Sequence, residues 1–159
     1  MEPLIALLVA WPVLRLIGYF GVRRLAHWQT SLRGAIAVMF TMTAIVHFVA
    51  KRDELIAMVP PGLPAPELLV TVTGVLEFAG AIGLLIPRFA RSAAICLTVL
   101  LLVMFPANVY AAQAGLEMAL LPRTILQLIF LAATIAASWK TSSAAGEPTA
   151  PKASRGVPG

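Results

Sequence analysis

The sequence predicts an all-α membrane protein, a bundle of about five transmembrane helices without a soluble domain. Three observations carry this prediction. Hydrophobic residues make up 60% of the 159-residue chain and mean hydropathy is +0.90. Charged residues make up 12%, where a soluble domain has about 25%. Five apolar runs of near-spanning length follow one another, with the charges gathered in the gaps between them. So little charge could not solvate the surface around so much apolar material, so that surface must face lipid. The net charge of +5 and the pI near 10.2 do not point to nucleic acid. The basic residues are few and sit between apolar runs, with no patch interleaved by aromatics.

The first run covers residues 3–21 and is interrupted by Arg15. It opens Met1-Glu2 without a basic stretch, no small-x-small cleavage site follows it, and it ends at Arg23 and Arg24. It is therefore read as a retained helix, not a signal peptide. Arg15 is expected to snorkel to the nearer interface, with pairing to Glu77 as the alternative. The second run covers 34–50 and opens at Gly34, and the third covers 68–86 and stops at Pro87. The fourth, 92–112, contains Pro106, and the fifth, 124–139, follows Pro122. Runs of 16 to 21 residues match the ~20 needed to cross ~30 Å of hydrocarbon. Together, residues 1–139 form the predicted bundle. The tail, 140–159, is rich in Ser, Ala, Pro and Gly and is predicted to be disordered and cytoplasmic. Between the second and third runs, the segment from Met58 to Pro66 carries four prolines. It is predicted to be non-helical, a stiff cap above the bundle.

Charge placement predicts orientation. One set of gaps holds Arg23, Arg24, Arg33, Arg88, Arg91, Lys140, Lys152 and Arg155; the opposite set holds Lys51, Arg52 and Arg123. Eight against three puts the first set in the cytoplasm, the N-terminus outside and the C-terminus inside. The single cysteine, Cys96, lies in an apolar run. It allows no internal disulfide or redox pair and is expected to face lipid or a neighbouring helix.

Polar groups inside a bilayer are costly, and each requires a reason. Glu77 lies nine residues into the third run, roughly 13–14 Å deep. Thr73, Gly74, Glu77, Gly80 and Ala81 share its side of the helix, with Gly83 adjacent. Small residues there let another backbone approach. Glu77 is then either an interhelical hydrogen bond that locks the bundle or a proton or ligand site. His47, near the outer end of the second run, has Thr43 one turn deeper on the same face. Asn108 follows Pro106, whose ring leaves a backbone carbonyl without its donor one turn earlier. It is read either as stabilising that kink or as contacting a ligand. Arg123 stands at the outer entrance of the fifth run with Gln127 one turn further in. Their structural readings are interfacial snorkelling and helix–helix contact. No second histidine or cysteine stands at ligand spacing and His27 lies at the other interface, so a metal site is not expected. His47, Asn108, Arg123 and Gln127 come from three runs, yet all fall in the outer half with Glu77 below them. The expectation is a pocket open to the outer leaflet with a carboxyl at its floor.

The stretch from Phe40 to Gln127 resembles the DoxX-like family of small bacterial membrane proteins. The resemblance rests on Ala44-Ile45-Val46-His47-Phe48, Met58-Val59-Pro60-Pro61-Gly62-Leu63-Pro64, Thr73-Gly74-Val75-Leu76-Glu77, Gly83-Leu84-Leu85-Ile86-Pro87, Phe105-Pro106-Ala107-Asn108, and Leu121-Pro122-Arg123 followed by Gln127. The chain departs from the family where Ala44 and Ile45-Val46 replace a small residue and a glycine before the His-Phe pair. The resemblance implies a four-helix core from runs two to five, with the first run and the tail as additions, in the bacterial inner membrane. It also implies a quinone-facing role as a membrane subunit of a quinone-linked oxidoreductase. No haem, flavin or iron–sulfur motif is present, so electrons would come from a redox partner protein. On this reading His47, Glu77, Asn108, Arg123 and Gln127 bind a quinone or lipid head group. The alternative is a non-catalytic accessory or assembly protein whose polar residues lock the bundle. A small transporter is third, since five spans without a repeat make a poor alternating-access machine unless copies pair in a homo-oligomer.

Overall fold

In lipid every backbone N–H and C=O must be satisfied within the segment, so apolar runs of this length fold as helices. A computed structural model describes residues 2–49, 51–115 and 120–139. The predicted disordered tail lies outside the described residues. Five long helices are present: α1 (Glu2–Phe20), α2 (Trp28–Phe48), α4 (Pro66–Leu85), α5 (Ala90–Gln113) and α6 (Leu120–Ser138), with a short α3 (Arg52–Ala57) between α2 and α4. Each long helix is long and apolar enough to cross a membrane. A single 3-10 turn, Arg23–Ala26, joins α1 to α2.

Helices α2, α4, α5 and α6 close a ring in which each packs on the next and α6 returns to α2. The first helix lies outside this ring, chiefly against α2. It exposes Ile5, Leu8, Val9, Leu16 and Ile17 and buries Leu7 and Gly18. α2 is the central element, buried along Ala35, Ile36, Met39, Phe40, Ala44 and His47. Its partners contribute Ala81 and Leu84 from α4, Ala94 and Leu97 from α5, and Ala137 from α6. Lipid tails are as apolar as these side chains, so the ring is held by close packing and interhelical hydrogen bonds, with little from the hydrophobic effect. One such bond joins the Thr98 hydroxyl to Thr134 Oγ1 at 2.9 Å, across α5 and α6. Close approach is visible at Gly83, where an added Cβ would meet the Ala93 methyl of α5 at 2.8 Å.

The helix boundaries depart from the sequence reading at three places. α2 begins at Trp28, not Gly34, so Arg33 lies inside a membrane helix. It is tolerated because Nε donates to the Ala137 carbonyl at 2.9 Å and Nη2 to the Trp139 carbonyl at 3.4 Å. Those are carbonyls at the end of α6, where helix acceptors lack partners and the dipole favours a cation. Gly34 instead marks the close approach of α1, with Leu14 2.8 Å from where its Cβ would be. α6 starts at Leu120 and takes Pro122 into its first turn, where a missing N–H costs nothing. The third departure is α3, in a stretch to which the sequence reading assigned no element. Asp53 and Glu54 in its first turn favour helix nucleation. Arg52 Nη2 donates to Thr71 Oγ1 at 3.0 Å and to the Glu67 carbonyl at 3.5 Å, tying α3 to α4.

The proline-rich segment is non-helical from Met58 to Ala65, as expected, while Pro66 already belongs to α4. It ends in Ala65 with φ 51, a left-handed residue that turns the chain into α4, whose first residue is Pro66. Cys96 is exposed on α5.

Candidate functional site

The site begins with the spacing of buried residues on α4. Val70, Gly74, Glu77, Ala81 and Leu84 recur every three or four residues and form its buried stripe. At Gly74 α2 comes close. A Cβ there would stand 2.8 Å from the His47 Cβ and 3.0 Å from the Phe48 ring. The missing side chain lets the last turn of α2 lie against α4, which sets His47 one turn above Glu77. Nδ1 of His47 is 3.7 Å from Glu77 Oε2, beyond hydrogen-bonding distance. Nδ1 instead lies 2.9 Å from the Thr43 carbonyl. A carbonyl oxygen only accepts, so Nδ1 carries the hydrogen and Nε2 is the nitrogen left for other contacts. Glu77 Oε2 is buried without a hydrogen-bond partner.

A second polar group comes from α5 and α6. Arg123 Nη2 donates to Asn108 Oδ1 at 2.8 Å, and Asn108 Nδ2 donates to Gln127 Oε1 at 3.3 Å. Gln127 Nε2 then donates to the Leu101 carbonyl at 2.6 Å. Pro106 offers no N–H to the Leu102 carbonyl, and Leu101 is its neighbour in the same loosened turn. That turn is thus tied to α6 by Gln127. Asn108, which the sequence offered for stabilising the kink, bridges Arg123 and Gln127 instead.

These two groups face one cavity of about 380 Å³. His47, Glu77, Asn108, Arg123 and Gln127 all line it, brought together from four helices. His47, Glu77 and Gln127 are 5%, 4% and 6% exposed; Asn108 and Arg123 are half-buried. Met39, Phe40, Leu101 and Phe130 line its inner end, each about 12–18 Å along its helix from the cavity end. Glu77 lies at the same level, eleven residues into α4. Around the mouth stand Glu2, Pro3, Lys51 and Leu55. The proline-rich segment, expected above the pocket, is absent from its lining; the chain between α2 and α4 reaches it through Lys51 and Leu55. The cause is α3, which forms the part of that connection nearest α2.

Sequence reasoning missed Glu2, Lys51 and the sulfur and aromatic walls. Met39, Met42, Thr43, Val46 and His47 follow a helical period on α2, a signal that extending the Thr43–His47 face would have found. Nothing in the sequence placed Glu2. Arg15 is exposed on α1 and forms no ion pair with Glu77; His27 caps the opposite end of α2 from His47. Among the described residues no three His, Cys, Asp or Glu side chains gather as a metal site requires. An apolar core of Met and Phe with polar groups at a few fixed points suits an organic head group.

Neither the curated proteins nor the solved structures include a match to this chain. A family model described as "Domain of unknown function (DUF8561)" matches residues 36–142, which takes in most of α2 and all of α3 to α6 and leaves α1 outside. The match covers about two thirds of the sequence, and the chain belongs to that family.

Proposed function

We propose that this protein is a DoxX-like membrane protein whose cavity binds the head group of a membrane-dissolved quinone or related lipid, as a subunit linked to redox metabolism. The observation that carries the reading is Glu77 Oε2, buried on the wall of the cavity without a hydrogen-bond partner. Such an atom costs about 1–3 kcal/mol or more, a cost that a ligand removes. The cavity's 380 Å³ falls within the ~300–1,000 Å³ of small-molecule pockets. Met39, Phe40, Met42, Met104 and Phe130 supply flexible and aromatic surface for a flat ring. Glu77 and His47 hydrogen-bond to the head group or exchange protons with it, while Arg123, Asn108 and Gln127 orient it. When bound, a quinone supplies two-electron chemistry, with electrons delivered by a partner protein.

The test is mass spectrometry of organic extracts from detergent-purified protein, wild type beside Glu77→Gln. A quinone or defined lipid enriched in wild type and lost in the variant supports the reading. Bulk phospholipid alone in both preparations sinks it. The accessory reading then takes its place, favoured by the Arg123–Asn108–Gln127–Leu101 chain, which is satisfied within the protein.

The cavity mouth is assigned to the outer face of the bacterial inner membrane, on the strength of the basic residues around the opposite helix ends. With Cys96 changed to Ser, a Lys51→Cys variant should react with a membrane-impermeant maleimide added to intact cells. Labelling only after lysis would reverse the orientation.

A further inference from the structure

We infer that the ligand of this cavity is a hydrogen-bond donor: an amphiphile whose head group presents a hydroxyl to Glu77 Oε2, so that a hydroquinone binds in preference to the quinone of the same skeleton. The inference rests on the reading of the cavity as a quinone or lipid site and fixes which form it takes.

It follows from matching donors to acceptors around the cavity. On the α5–α6 side hydrogens go first to protein acceptors, with a second amide hydrogen kept on Asn108 and on Gln127; beside Glu77, on α2, none is left over. Arg123 donates to Asn108, Asn108 to Gln127, and Gln127 to the Leu101 carbonyl. His47 Nδ1 donates to the Thr43 carbonyl at 2.9 Å, and the Thr43 hydroxyl to the Phe40 carbonyl at 3.1 Å. The atom left over is of the other kind. Among the described residues, the buried side-chain atoms without a partner are Glu77 Oε2 and Gln29 Oε1, both acceptors. Gln29 is at the far end of α2 and does not line the cavity.

The second contact point has the same polarity. With its hydrogen on Nδ1, His47 offers a lone pair at Nε2. The corner formed by His47 and Glu77 therefore presents acceptors to whatever enters. A ligand carbonyl placed there would set lone pair against lone pair, whereas a hydroxyl completes the unmade bond.

A matched pair of ligands reads this directly. The full chain in detergent micelles is titrated calorimetrically, under anaerobic conditions, with a decyl-substituted benzoquinone and with the corresponding hydroquinone. The two share size, ring and tail and differ in donating hydrogens. The expected result is a hydroquinone that binds about tenfold tighter or more, the worth of one hydrogen bond to a carboxylate. In Glu77→Gln, which keeps the shape but adds a donor, the preference should shrink to about twofold or less. Quinone binding as tight as hydroquinone in wild type would mean that Glu77 carries the proton and donates it, which overturns the inference and leaves the cavity reading standing. A preference unchanged in Glu77→Gln also overturns it, because the discriminating group would then lie elsewhere. If neither compound binds, the inference and the reading beneath it fall together. The wild-type ratio needs no variant, so a Glu77→Gln protein that failed to fold would still leave the inference decided.

Discussion

Glu77 Oε2 stands 3.7 Å from His47 Nδ1 with no hydrogen bond between them, because that N–H is given to the Thr43 carbonyl within the same helix. The histidine is oriented by its own helix, and the glutamate is left with an unmade bond facing the cavity. Binding and stability separate here, because neither side chain is the partner the other depends on.

His47→Ala should therefore weaken retention of the co-purified ligand while lowering stability by about 1 kcal/mol or less. The Thr43 carbonyl keeps its backbone helix bond, and the vacated space joins an open cavity instead of forming a sealed void. Thermal unfolding in detergent, run beside extract analysis, checks both halves. A large loss of stability with ligand retained would favour the accessory reading.

Gly74→Ala should damage the packing of α2 on α4. Its methyl would come within 2.8 Å of the His47 Cβ and 3.0 Å of the Phe48 ring. Neither is the far end of a flexible chain, so α2 and α4 must separate, at about 1–3 kcal/mol. The same shift moves His47 away from Glu77. A lowered unfolding temperature together with reduced ligand binding is expected; a wild-type melting curve would argue against this helix contact.

Asn108 and Gln127 should prove coupled. Asn108 is held between Arg123 and Gln127, and Gln127 alone reaches the Leu101 carbonyl. Asn108→Ala and Gln127→Ala should each cost about 0.6–2 kcal/mol, with the double variant costing less than the sum by about 0.5 kcal/mol or more. Gln127→Ala should be the worse of the two, since it removes both the acceptor of Asn108 and the interhelical donor to the Leu101 carbonyl. Strict additivity in a denaturant-based double-mutant cycle would break the link between them.

Arg33→Met should destabilise the bundle without touching the site. It removes the donors to Ala137 and Trp139 at the end of α6, a loss of about 1–3 kcal/mol. The cavity opens at the opposite ends of α2 and α6, so ligand affinity should match wild type in protein that remains folded. A parallel fall in affinity would mean that the two ends of α6 are coupled.

The five long helices were legible because a lipid-spanning helix announces itself by composition over some twenty residues, an average that no single side chain upsets. The positions where the reading slipped are those where one residue outweighs the average. Arg33 reads as a boundary until the carbonyls it reaches at the end of α6 are known, because those lie 104 and 106 residues away along the chain. α3 was hidden since six residues are too few to show a period. The five candidate residues were found from depth and helix face alone, and they line one cavity.

What the sequence determined by itself was the all-helical class and the number of helices long and apolar enough to span a membrane. These depend on local composition and on a fixed rise per residue. Which polar atoms meet was decided only by the tertiary structure. The bond from Gln127 to Leu101, the bridge through Asn108 and the unmade bond at Glu77 depend on how far each helix turns about its axis and how closely its neighbour approaches. Small residues such as Gly74 set that approach, and a small residue reads the same in the sequence wherever its neighbour lies.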